Sequence, residues 1–265
     1  MAARADEAQQ IEIPASFPSG ADVAGRRVVL TGAGRGLGRV LAHAFSQAGA
    51  SVALVARTVT DLEKLAADLP GPSLVLAGEV TDEAFNESVA DAVVDAWGGL
   101  DVWIANAGIS PAVGGPRRTD PAVWREILDV NLTGAFLGAR AAARVMDEGG
   151  RIVFTGSVLG ERPRAGLAAY SASKAGVVAL AKGLALDLAE QRITVNVVAP
   201  GWFDSPLVEP WKQRPALGEA VLAHTAFGRW GAATELVGAY LFLASAAASF
   251  VTGTVITVDG GYLLT

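Results

Sequence analysis

The chain has 265 residues, 51% apolar and 18% charged, with a formal charge of −6; this excludes general disorder and allows a large core. It has no Cys and only two His, which removes disulfide scaffolds, thiolate zinc sites and cysteine nucleophiles, so no metal is expected. The acidic balance without any Lys/Arg run argues against a nucleic-acid surface, and 31 glycines point to close backbone approaches.

Residues 1–22 are expected to be a loosely ordered N-terminal extension. They lack an apolar core, carry Asp6, Glu7 and Glu12, and do not read as a signal peptide. Arg26–Gly32 reads as a first strand, followed by a helix over Gly36–Gly49 with apolar positions at Leu37, Val40, Leu41, Ala44 and Phe45. Ser51–Ala56 is a second strand and Thr60–Leu69 a helix stopped by Pro70-Gly71. Ser73–Gly78 is a third strand, then Asp82–Trp97 a helix with Asp82 near its N-cap. Asp101–Gly108 is strand four. Asp120–Met146 is one long helical region, opened by a cap residue and then Pro121. Arg151–Ser157, helix Leu167–Gln191 and Ile193–Gly201 follow, then an irregular segment to Trp230. A helix from Thr234 and a strand at Thr254–Val258 end the chain.

Leu236–Val258 carries no charge, but Gly238, Ser245, Ser249, Thr252 and Gly253 interrupt it. It reads as helix, turn and buried strand rather than a membrane span. The strands are near-continuous Val/Ile/Leu/Ala runs, the pattern of strands covered on both faces. Seven such strands joined by helices predict a doubly wound α/β fold around an open parallel sheet. No composition break divides 23–265, which is expected to be one domain.

The chemistry-bearing residues sit at strand ends. Thr31–Gly38 reads TGAGRGLG between a strand and a helix. There Gly32, Gly36 and Gly38 let the backbone approach a pyrophosphate, and Gly34 adds freedom to the turn. Ala56 is followed by Arg57, with Arg35 inside the glycine loop and no carboxylate until Asp61, which favours NADP(H) over NAD(H). Tyr170 and Lys174, at i and i+4, share a helix face. A nearby ammonium is expected to lower the phenol pKa toward the working range. Ser157 can hydrogen-bond the same reacting oxygen. Gly32, Arg57, Asn106, Ser157 and Pro200-Gly201 end strands one, two, four, five and six, so all are expected at one sheet edge. Taken singly, each has a plainer reading: an ordinary glycine turn, solvated arginines, a surface Tyr/Lys pair.

In order and spacing, TGAGRGLG, Asn106-Ala107-Gly108, Asn131 in NLTG, Ser157, the Tyr170/Lys174 pair and Pro200-Gly201 resemble the short-chain dehydrogenase/reductase family. The resemblance runs from about Val23 to Tyr262. It implies a Rossmann-type, seven-stranded parallel sheet in order 3-2-1-4-5-6-7. It also implies a catalytic tetrad. Tyr170 would donate or remove the hydroxyl proton, and Ser157 would position the carbonyl oxygen. Lys174 would lower the tyrosine pKa and hold the nicotinamide ribose, with Asn131 supporting a water-linked proton path. Read without the family, Asn131 is equally a helix-interior hydrogen bonder.

Further cofactor contacts implied are Leu37, Val80, Ala107, Gly108 and Phe203. Glu79 stands where the family usually has Asp, making it an adenine neighbour, and Ser205 replaces a Thr facing the carboxamide. The segment 202–230 is expected to close over substrate. Trp202 and Trp211, with Phe203, Leu207 and Val208, would line an apolar pocket there or pack the cover onto the domain. The implied function is an NADP(H)-dependent reductase or dehydrogenase for a small carbonyl or alcohol, resembling gluconate 5-dehydrogenase or 3-oxoacyl carrier-protein reductase members. An NAD(H)-dependent sugar-acid or other alcohol dehydrogenase and a non-catalytic NADP sensor stay open as alternatives. A cytoplasmic homotetramer or dimer is the family expectation.

Overall fold

The computed structural model describes residues 22–111, 114–205, 208, 212 and 214–265. The strands are β1 (Arg27–Thr31), β2 (Ser51–Ala56), β3 (Ser73–Ala77), β4 (Val102–Ala105), β5 (Arg151–Thr155), β6 (Thr194–Pro200) and β7 (Val255–Val258). The helices are α1 (Gly36–Gln47), α2 (Val59–Asp68), α3 (Glu83–Trp97), α4 (Pro121–Leu128), α5 (Gly134–Val145), α6 (Ala168–Asp187), α7 (Pro215–Leu222) and α8 (Val237–Ala244). The seven strands pair in parallel in the order β3-β2-β1-β4-β5-β6-β7. The expected doubly wound sheet is therefore present, strand for strand.

Alternate residues of each strand serve opposite cores. Val28, Leu30, Val52, Leu54 and Ile104 pack against Leu41 and Phe45 of α1 and Leu243 of α8. Val29, Ala53, Val55, Trp103 and Phe154 face Val89 and Val93 of α3, Ala139 and Ala142 of α5 and Val177 and Ala181 of α6. Since both faces are dry, no polar alternation is needed, which is why the strands read as unbroken apolar runs. Full burial of each such Val or Leu stabilises by roughly 1.5–3 kcal/mol.

Local chemistry sets the helix ends. Asp82 accepts from the Phe85 amide to cap α3, and Gly98 closes the helix in the left-handed region. Asp120 accepts from the Ala122 amide ahead of Pro121. The long helix expected from that point is interrupted by a π-turn over Asp129–Thr133. Helix α6 stops at Asp187, short of the expected Gln191, because the chain turns back toward β6 through Arg192 at φ +53°. The segment read as irregular before Trp230 contains α7. The charge-free stretch resolves into the eight-residue α8, a 3-10 turn and β7. Among the described residues no helix is long and apolar enough to cross a membrane.

At the N-terminal edge of the sheet, Asp101 joins β1 to β4. Its carboxylate accepts from the Arg27 backbone amide at 2.8 Å and from the Arg27 guanidinium at 2.7 and 2.9 Å. Burial raises the Asp101 carboxyl, and the Arg27 hydrogen bonds overcome this, leaving its pKa below the ordinary range. A lowered carboxyl pKa stabilises the fold above the unfolded pKa and loses that contribution as pH falls through the folded value. Asp101→Ala should therefore cost about 2 kcal/mol at neutral pH. In urea melts, the gap to wild type should close as the pH drops below the carboxylate range.

Candidate active site

A cleft of about 440 Å³ opens at the C-terminal edge of the sheet. One end is walled by Gly32, Gly34, Arg35, Gly36, Leu37 and Gly38, with Arg57, Glu79 and Val80 beside them. Asn106, Ala107 and Gly108 form its floor. The far end holds Ser157, Tyr170, Lys174, Pro200, Gly201, Phe203 and Ser205. Thus residues expected to meet at one edge from five strand ends do meet there.

The glycine end is shaped by close contact. Gly32 takes φ +69°, and a Cβ at Gly38 would lie 2.1 Å from the Gly32 carbonyl oxygen. Only glycine allows α1 to press so tightly on the end of β1. Arg35, the N-cap residue, makes no side-chain cap bond, and the first turn of α1 has no acid. Its N-terminal amides therefore present positive ends to the cleft, a seat that fits a pyrophosphate.

The floor hangs from Thr31. Its hydroxyl accepts from the amides of Asn106 and Ala107, both at 3.0 Å. Asn106 Nδ2 donates to the Thr31 carbonyl at 3.0 Å. These bonds hold the chain leaving β4 against the start of the glycine turn.

At the far end, helix periodicity puts Tyr170 and Lys174 of α6 on one face, with the ammonium 5.8 Å from the ring centroid. Both side chains are buried. Lys174 Nζ donates to the Thr155 carbonyl at 2.7 Å. Ser157, extended past β5, hydrogen-bonds Tyr170 and accepts from the Leu159 amide at 3.1 Å. Asn131 points inward from the π-turn and is bound on both sides of its amide. Its Oδ1 accepts from the Ile109 amide at 2.8 Å, and its Nδ2 donates to the Ile109 carbonyl at 2.9 Å and to Ser173 Oγ at 3.1 Å. A Cβ at Gly108 would stand 3.3 Å from Asn131 Oδ1 and 3.6 Å from Lys174 Nζ. The two side chains therefore flank the Gly108 backbone.

The electrostatics correct one expectation. Burial raises the Tyr170 phenol above its ordinary value, and the Ser157 hydrogen bond only partly opposes this. Burial also pulls the Lys174 ammonium down to about 8. Burial is the largest influence on both groups, and the ammonium donates to the Thr155 carbonyl.

Other placements are mixed. Arg35 and Arg57 are exposed along the cleft. Asp61 lines the same wall and approaches within 3.4 Å of where a Gly34 Cβ would be. Trp202 is buried and meets Trp230 and Tyr262 edge-on at 6.1 and 6.2 Å. It packs the cover, the second of its two readings. Arg162 and Arg164 stack over Tyr262 and Trp202 within this aromatic cluster. Trp211 and Leu207 lie outside the described residues. Thr58, Ile109, Val130, Thr155, Ala233 and Leu236 also line the cleft and were not foreseen. Thr58 and Ile109 adjoin expected residues in sequence; the others carry no local signal.

A depressed lysine pKa has a stability consequence. The unfolded chain holds the Lys174 proton to about 10.4 and the folded chain only to about 8. The unfolded state therefore binds more protons across this window, and stability rises with pH there. Compared with Lys174→Met, the wild-type apoprotein should gain relative stability between pH 8 and 10 in denaturant titrations. A pH-independent difference would contradict the burial cost.

Known proteins resemble this chain in sequence and fold. The sequence profile of the family described as Enoyl-(Acyl carrier protein) reductase matches residues 32–263. A cis-4-hydroxycyclohexanecarboxylate dehydrogenase of Sinomonas cyclohexanicum is 38% identical over 242 residues, covering 89% of this chain and 96% of the relative. A 3-oxoacyl-[acyl-carrier-protein] reductase of Salmonella typhimurium is 36% identical over 239 residues, covering 89% and 97%. The crystal structure of a short-chain type dehydrogenase/reductase from Mycobacterium marinum superposes with a TM-score of 0.85 at 37% identity, covering 92% and 98%. With its sheet order, glycine turn and Ser–Tyr–Lys cluster in that company, the chain belongs to the short-chain dehydrogenase/reductase family of oxidoreductases.

Proposed function

We propose that the chain interconverts a ketone and a secondary alcohol using NADP(H), with Tyr170 as the proton donor and acceptor. The observation that carries this reading is one continuous cleft with a glycine-cradled helix N-terminus at one end and Ser157, Tyr170 and Lys174 at the other. When bound, a nicotinamide dinucleotide supplies or takes the hydride. Tyr170, kept protonated by burial, holds the proton that reaches the carbonyl oxygen in reduction and takes it back in oxidation. Ser157 orients that oxygen. Lys174 would hold the nicotinamide ribose of a bound dinucleotide, and Asn131, gripped by Ile109, holds the floor beside it.

Arg35 and Arg57, exposed along the cleft, support a 2′-phosphate, whose oxygens an arginine fork matches. Asp61 on the same wall favours a second reading, an NAD(H)-dependent alcohol dehydrogenase. Substrate chemistry is bracketed by the relatives, one acting on 4-hydroxycyclohexanecarboxylate, one on a 3-oxoacyl carrier protein and one, from Cereibacter sphaeroides, on galactitol. Phe203, Ser205 and Val208, which line the cleft, support a compact, largely apolar substrate. A cytoplasmic dimer or tetramer belongs to the same proposal, and light scattering measures the assembly.

Two measurements test the chemistry. In a panel of the three relatives' substrates and simple ketones, followed at the nicotinamide absorbance, Tyr170→Phe should lower kcat at least ~100-fold. Its dinucleotide affinity should stay near wild type; full activity in this variant would remove Tyr170 from the proton step. Arg57→Ala should raise the KM for NADPH roughly tenfold and leave that for NADH unchanged. A wild-type preference for NADH would establish the second reading instead.

A further inference from the structure

A second buried tyrosine stands behind the cleft. Tyr240 belongs to α8, packs in the core on the sheet face opposite α6, and is 0% exposed. Its hydroxyl lies 2.7 Å from Thr155 Oγ1. Thr155 Oγ1 in turn donates to Asn106 Oδ1 at 3.2 Å. The other end of that amide is committed to the Thr31 carbonyl.

These bonds have one possible direction. An amide oxygen only accepts and a threonine hydroxyl has one proton, so the Thr155 proton is used on Asn106 and Tyr240 is the donor in its own bond. The chain runs Tyr240 to Thr155 to Asn106 to the Thr31 carbonyl, across the ends of β5, β4 and β1. It stops one residue before Gly32. A Cβ at Gly32 or Gly38 would come within 3.1 or 2.9 Å of Asn106 Nδ2, so the amide lies directly against the glycine turn. The Thr155 carbonyl also receives Lys174. Burial drives the Tyr240 phenol above its ordinary range, so it remains a donor.

We propose that Tyr240 is a positioning residue for dinucleotide binding, orienting the Asn106 amide through Thr155 and thereby seating the glycine turn. The proposal rests on the dinucleotide reading above. Without the tyrosine hydroxyl, Thr155 Oγ1 loses the proton supplied to it and competes for Asn106 Nδ2. A turned amide would then set Oδ1 against the Thr31 carbonyl, two acceptors face to face, and push on the turn.

The test is fluorescence titration of the apoprotein with NADPH and with NADH, beside thermal melts of each variant. Tyr240→Phe should weaken binding of the preferred dinucleotide roughly three- to tenfold, the span of one lost hydrogen bond. Thr155→Val should do the same, and the double variant should lose no more than Thr155→Val alone, because the two groups act in series. Thr155→Ser, which keeps the hydroxyl, should recover most of the affinity. Unchanged binding in Tyr240→Phe, whatever its melting temperature, would overturn the proposal, as would additive losses in the double variant. If Thr155→Val does not fold, the Tyr240→Phe titration decides alone. Wild type that binds neither dinucleotide would overturn the functional reading and this one together; wild type that binds while Tyr240→Phe matches it removes only the positioning role.

Discussion

The approach of α1 to the end of β1 leaves no room for a methyl group. A Cβ at Gly38 would sit 2.1 Å from the Gly32 carbonyl oxygen, inside any permitted contact. That closeness fixes the direction in which α1 leaves the sheet and brings its uncapped amides to the cleft mouth. The neighbouring strand end must then fit beneath the turn, which it does through the bonds between Thr31 and Asn106. From there the arrangement extends through Thr155 to α6 and α8. Remove the close approach and the remaining strand ends have no common reference.

The parallel sheet makes this economical in sequence. Because the inner strands are buried on both faces, their apolar runs mark their positions with little ambiguity, and β2 begins and ends where the periodicity places it. Strand ends then locate the cleft without further information, since all strands point the same way. Gly32, Arg57, Asn106, Ser157 and Pro200 were legible for that reason, and Tyr170 with Lys174 through helical spacing.

What stayed illegible depends on contacts between distant residues. Nothing near Tyr240 marks it as a partner for Thr155, 85 positions away. The phenol pKa failed for a related reason: i, i+4 spacing shows that Tyr170 and Lys174 share a face but not that both are buried or that Lys174 spends a hydrogen bond on a carbonyl. Helix α7 was missed because Pro, Gly and a short apolar run give weak periodicity. Trp202 was ambiguous until its ring contacts assigned it to the cover.

The π-turn at Asp129–Thr133 has a mechanical effect on the long helix around it. A wider turn advances the chain without completing the usual angular step, so α4 and α5 are out of phase although they form one rod. The first half packs on α6 and the second on α3, so a single helix serves two neighbours in different directions. Asn131 sits where the phase slips and faces inward. The slip works like a splice in a cable. Deleting one residue within it would restore a regular helix, rotate one half by about 100° against the other, and leave Ile109 without the side chain that grips it.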